Sequence, residues 1–343
     1  MDSSLSHQGS LPFLPSRRNS VRRSGGGVCV LLPSRRKLRY DSMVVVAAAG
    51  PGASLDAPLA PRSAHGRFLS CVLMKKRPLF HFAVADLLKQ LAEDKEAALS
   101  RMFLSSGSDE ASLHRRIAQL KESNCQTAIE DIMYMLILYK FSEIRVPLVP
   151  KLPSCIYNGR LEIWPSKDWE LESIHSYDVL ELIKEHSNAV ISLRVNSTLT
   201  DNLETTEIDK EHLSNVYTAS ILYGYFLKSA TLRHQLECSL SEQHGSITKQ
   251  LRHYISGFDP KILRRCAKPR SREAKNLIEK QSLALFGPRE SEESIVTSFS
   301  SLKRLLLEAV AFGTFLWDTE EYVDGAFKLK ENENAEEEEN SSV

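Results

Sequence analysis

No pair of cysteines in this 343-residue chain has metal-ligand spacing. The six occur singly, at positions 29, 71, 125, 155, 238 and 266, which disfavours a zinc ribbon and a thioredoxin-like centre. Without Cys29, which falls in the leader described below, an odd five remain, so free thiols are expected rather than a disulfide framework. Walker P-loop, HExxH and GxSxG motifs are all missing, and the triplet Gly25, Gly26, Gly27 lies in the leader, where it cannot cradle a phosphate in the mature protein. Only one Glu-x-x-His spacing occurs, Glu172 to His175, whereas a di-iron carboxylate bundle needs two. His253, beside Tyr254, reads as a packed or surface residue rather than a general base. Long apolar runs are missing too: the strongest, Ile132 to Tyr139, is bounded by Asp131 and Lys140, and a bilayer needs about 20 residues. It reads as a buried core helix. No catalytic residue, metal ligand, cofactor or transmembrane segment is therefore assigned, and a non-enzymatic protein is expected.

Acid is scarce at one end and base at the other. Residues 1–67 hold ten basic residues against Asp2, Asp41 and Asp56, together with eleven serines. An Arg-rich, Ser-rich, acid-poor leader is what organelle import accepts, and its Pro-broken start lacks the amphipathic basic helix of a mitochondrial presequence. The expectation is a plastid transit peptide and disordered arm over 1–67, with cleavage near Ala47 or Ala48, and a stromal location. At the other end Glu331, Glu333 and Glu336 to Glu339 have no basic partner, so 331–343 is expected to be a disordered, solubilising tail. Between them, 68–330 suffices for one large domain or two small ones.

That middle section reads as mainly α, a multi-helix bundle. Ala85, Leu88, Leu91, Ala92, Leu99 and Met102 recur at helical spacing over 82–103, and Leu113, Ile117 and Leu120 form the stripe of a second helix capped by Ser108. A third, about 127–141, is apolar on most faces and so central. Pro147, Pro150 and Pro153 then impose an extended crossing segment. Asn158-Gly159 between short alternating runs predicts one small β-hairpin at about 155–163. A helix follows at about 177–186, and residues 196–207 read as a polar linker. The segment 208–240 reads as a helix with a kink or break near Gly224 or Ser229. Helices at about 247–255 and 274–286 flank a short one started by Asp259 and Pro260, and a last helix spans about 300–318.

Displaced by 89 positions, the chain echoes itself. Leu213 falls on Leu302, Val216 on Leu305, Tyr223 on Phe312, Gly224 on Gly313, Phe226 on Phe315 and Leu227 on Leu316. Each glycine lies within an apolar stripe, where it costs about 1 kcal/mol relative to alanine, so the two helices are expected to cross at Gly224 and Gly313. Two similar halves, about 75–241 and 246–325, would follow. The stretches YGYFLKSATLRHQLE (223–237), LRHYISGFDP (251–260) and KPRSREAKNLIEKQSLALFG (268–287) resemble a plant and cyanobacterial domain family of unknown function, number 760. Its plant members include proteins described as UV-B-induced and chloroplastic. The resemblance covers most of 75–325, implies a helical plastid protein with a stress link, and transfers no catalytic residue. The second copy departs from the first at Thr314 (Tyr225) and Trp317 (Lys228).

One electrostatic anomaly remains. Lys249, Arg252, Lys261, Arg264, Arg265, Lys268, Arg270, Arg272 and Lys275 crowd a segment whose acids are Asp259 and Glu273. Such a patch suits RNA, an anionic thylakoid lipid surface or an acidic partner, although only Tyr254 and Phe258 could stack on bases. The favoured expectation is a stress-linked interaction or regulatory protein; the alternative is an RNA or membrane-surface binder using this patch.

Overall fold

The computed structural model describes residues 57–105, 107, 110–195, 205–241, 250–288 and 294–332. The expected cleavage site, the Ser108 cap, Lys249 and all of the tail after Asn332 lie outside these residues. Among the described residues, ten α-helices and one small sheet make a mainly α fold.

The first helix, α1 (Ala64–Lys75), begins on the leader side of the boundary at residue 67. Ser63 caps it by accepting from the Gly66 amide, and the Asp131 carboxylate accepts from the Arg62 and Ser63 amides at 2.9 and 2.6 Å. Residues from Ala57 thus belong with the helical body, because Asp131 supplies acceptors that local composition cannot reveal. An antiparallel pair follows, α2 (Phe80–Leu104) and α3 (Ala111–Glu143). The two helices expected over 108–141 are one, since Ser123 and Asn124 contribute neither proline nor glycine to end it. Its second half is buried on all faces from Ala128 to Leu138, as expected of a central helix. Its first half differs from expectation: Leu113, Ile117 and Leu120 are 55%, 38% and 58% exposed, because no described element covers the outer end of the hairpin.

The proline-rich segment crosses α10 (Phe299–Ala326), the most enclosed helix. An extended strand without sheet neighbours must satisfy its peptide groups another way. Here Glu308 accepts from the Val149 amide at 2.9 Å and Arg304 donates to the Pro147 carbonyl at 2.9 Å. The two side chains pair with each other at 2.9 Å in the core. Burial raises the Glu308 pKa, while Arg304 and the amide oppose the shift.

Strands β1 (Ile156–Tyr157) and β2 (Arg160–Leu161) form the expected hairpin, with Asn158 and Gly159 both at positive φ. It does not stand alone. β2 runs parallel to β4 (Ser294–Ser298), which pairs antiparallel with β3 (Thr205–Asp209), giving the order β1-β2-β4-β3. The end of the supposed linker is therefore a strand. Two more helices, α4 (Asp168–Glu172) and α5 (Tyr177–Val195), lie between β2 and β3.

From β3 the chain enters α6 (Lys210–Ser241), which is continuous past Gly224 and Ser229. The 89-residue echo now covers a whole strand-helix unit: β3 maps onto β4 and the start of α6 onto the start of α10. Glu207 pairs with Val296, its own counterpart, and Thr205 with Ser298, the counterpart of Asp209. A local twofold relation follows from that register.

Candidate anion-binding surface

Three short elements carry the basic segment: α7 (Leu251–Ser256), α8 (Pro260–Ala267) and the first turn of α9 (Arg272–Phe286). Asp259 starts α8 by accepting from the Ile262 amide at 2.7 Å, with proline at the first helical position. Cys266 is buried, and Ile262 and Ala267 are half-buried. The other side of α8 is left to Lys261, Arg264 and Arg265, all exposed, with half-buried Lys268 just beyond. Spacings of three, four and seven put these four on one stripe. Arg272 is exposed at the start of α9 and Lys275 is half-buried one turn later. Among the described residues, no carboxylate is within ion-pair range of any of these six cations.

The segment's own acids are engaged elsewhere. Asp259 is the cap, and Glu273 is buried with its carboxylate accepting from the Lys330 amide at 3.3 Å; burial raises its pKa.

Two other members of the sequence patch are already committed. Arg252 is ion-paired with Glu185 of α5. Arg270 donates to Glu321 at 2.8 Å and lies 5.3 Å from the Trp317 ring centroid. Its burial opposes the charged form, but Glu321, Glu320 and Tyr225 outweigh that and raise its pKa. Gly224 of α6 packs against the Val310 backbone of α10, and Gly313 of α10 against the Ile221 backbone of α6.

What fixes this surface is Glu320, which the sequence reading did not single out. Its buried carboxylate accepts from the Ser271 amide at 2.7 Å, the Ser271 hydroxyl and the Tyr225 hydroxyl, and the Arg270 amide donates to Tyr225 at 3.3 Å. Tyr225 and Trp317, which mark where the two echoed helices part company, are thus the residues that hold the 269–272 segment from both sides. A signal was available: Glu320 lies four residues after Leu316 and three before Val323, on the apolar face of α10.

Other carboxylates, buried Glu130 and half-buried Glu172, tie elements together. Glu130 pairs with Lys280 and accepts from Asn276 at 2.8 Å, joining α3 to α9. Glu172 pairs with Lys303 at 3.1 Å, and burial lowers His175 to a pKa of about 4, with Lys228 adding to the effect. An open groove of about 530 Å3 between α2 and the end of α10 is lined by Ala85, Lys89, Ala92, Glu93, Glu96 and Tyr322, and none of the buried carboxylates faces it.

Residues 112–240, from the start of α3 to the end of α6, match a family described as Protein of unknown function (DUF760). A UV-B-induced, chloroplastic protein of Arabidopsis thaliana is 34% identical over 347 residues, covering 84% of this chain and 82% of that protein. No solved structure matches the chain.

Proposed function

The chain belongs to the DUF760 family, and from that premise we propose that it is a stress-linked plastid protein that acts in the stroma by binding a partner rather than by catalysis. The plastid location rests on the chloroplastic relative together with the acid-poor leader. The stress link rests on that relative being UV-B-induced. A binding role is carried by one observation: the α8 stripe presents Lys261, Arg264, Arg265 and Lys268 without carboxylate partners, on a segment anchored from α6 and α10. Cations held in that way are a contact surface for an anionic partner. The buried carboxylates fit the same reading, since Glu130 pairs with Lys280, Glu308 accepts from the Val149 amide and Glu320 accepts from the Ser271 amide.

Crosslinked affinity purification from intact chloroplasts, with and without nuclease, tests this reading. Protein partners that survive nuclease, and that are lost from a Lys261→Gln, Arg264→Gln, Arg265→Gln variant, are expected. Recovery of RNA with loss of the proteins would instead make this an RNA-binding surface. Unchanged partners in the variant would remove α8 from the function.

A further inference from the structure

The last described residues are stitched to the base of the cationic stripe. Arg272 donates its amide to the Lys330 carbonyl at 3.0 Å, Glu331 bridges Ser271 in antiparallel sense, and Asn332 donates its amide to the Arg270 carbonyl at 3.0 Å. The Asn332 side chain adds a bond to the Pro269 carbonyl at 3.4 Å. As the C-terminal segment advances from 330 to 332, its partners step back from 272 to 269. Antiparallel pairing therefore sets the chain direction at Asn332 toward Lys268, the near end of the stripe.

Beyond that point the sequence carries Glu333, Glu336, Glu337, Glu338 and Glu339 and no basic residue. Eleven residues reach at most about 40 Å when extended. The stripe on α8 is only about 12 Å long. A tethered segment within such reach has an effective concentration on the order of millimolar, so weak individual charge pairs suffice to populate contact.

We infer that the acidic segment 333–343 docks on the Lys261, Arg264, Arg265 and Lys268 stripe of its own chain and competes there with external anions. Anchor, direction, reach and sign of charge all come from the same corner of the fold. The docking itself is independent of the function proposed above; the competition rests on that reading. Anionic partners then meet the stripe only when they outbid the segment, so removing the acids strengthens binding without any new contact.

Zero-length carbodiimide crosslinking of the full chain tests the docking directly, because it condenses a carboxylate with a touching lysine to an amide with loss of water. Mass spectrometry of the monomer is expected to find Glu336 to Glu339 joined to Lys261 and Lys268, with yields falling at least fivefold in 0.5 M salt as screening shortens the reach of the charges. Crosslinks spread over distant lysines, or confined to covalent dimers, would overturn the inference.

Heparin, used as a polyanion probe, separates the two claims. Changing the five tail glutamates to Gln is expected to tighten heparin binding about tenfold, and to have no effect when Lys261, Arg264, Arg265 and Lys268 are also Gln. An equal gain in both backgrounds means that net charge alone is at work, and the masking role falls. If crosslinks form but neither protein binds heparin, the docking stands and the anionic-partner reading fails.

Discussion

Gly224 and Gly313 face each other's helices in reciprocal fashion. A Cβ added to Gly224 would overlap the Val310 carbonyl, and one added to Gly313 would overlap the Ile221 carbonyl. Val310 is the 89-residue counterpart of Ile221, so each glycine meets the same position of the other copy. Backbone lies on backbone here, and no side-chain rotation can make room.

Gly224→Ala and Gly313→Ala are each expected to destabilise the protein by about 1–3 kcal/mol, the usual range for overpacking. Gly325→Ala, where the added methyl meets nothing within 4 Å, is the control and should be neutral or stabilising by about 0.5 kcal/mol. Chemical denaturation midpoints at constant slope provide the measurement. Equal effects at all three positions would contradict the close crossing.

Asp131→Ala should release the N-terminal end of α1, because two amides at 2.9 and 2.6 Å lose their shared acceptor. A loss of about 1–3 kcal/mol is expected. Hydrogen exchange should accelerate at residues 62–75 before it does in α6 and α10.

Glu320→Ala leaves the Ser271 amide and the Tyr225 hydroxyl without their carboxylate. Destabilisation of about 2–4 kcal/mol is expected, whereas Tyr225→Phe should cost about 1 kcal/mol. Faster exchange at the Arg270 and Ser271 amides is the local signature.

Acid should weaken the fold through its histidines. Burial holds His175 at about 4 when folded, against about 6.5 for an unperturbed histidine, and also lowers His65 and His186. Below 6.5 the unfolded chain binds the proton that the folded one refuses, so stability falls as pH drops from 6.5 and, for His175, levels off near 4. That residue alone accounts for up to about 3 kcal/mol. His175→Gln should flatten the pH dependence of the unfolding free energy over this window.

Heparin binding should lose salt dependence when the free cations are removed but not when a paired one is. Each of Lys261→Gln, Arg264→Gln and Arg265→Gln is expected to lower the log-log salt slope by roughly 0.7. Arg252, already paired with Glu185, should leave it unchanged in an Arg252→Gln variant.

Periodicity and punctuation made the helices and the hairpin legible. The 3.6-residue stripes placed α2, α5, α9 and α10, Asp259-Pro260 started α8, and Asn158-Gly159 turned the hairpin as expected. Gly224 recurs at Gly313, and each meets the backbone of the other helix. Strands β3 and β4 stayed hidden because Thr205, Thr206 and Glu207 read as polar surface, and only pairing with Thr297 and Val296 gives them order. The stripe Leu113, Ile117 and Leu120 misled for the opposite reason, since an apolar pattern says which face would pack but not whether anything arrives. Of the basic segment, composition found every charge, but only three dimensions separate Arg252 and Arg270, already spoken for, from the cations of α8.

The reciprocal register of β3 with β4 has an evolutionary reading. A lone strand-helix unit with this face would have matched a second identical chain across a twofold axis, the commonest way for like subunits to meet. In such a pair every substitution appears on both sides at once. Duplication within a single polypeptide removes that constraint, and each copy can then specialise. Tyr225 has threonine at its counterpart 314 and Trp317 has lysine at its counterpart 228, and this asymmetry places both anchors of the 269–272 segment on one corner of the surface.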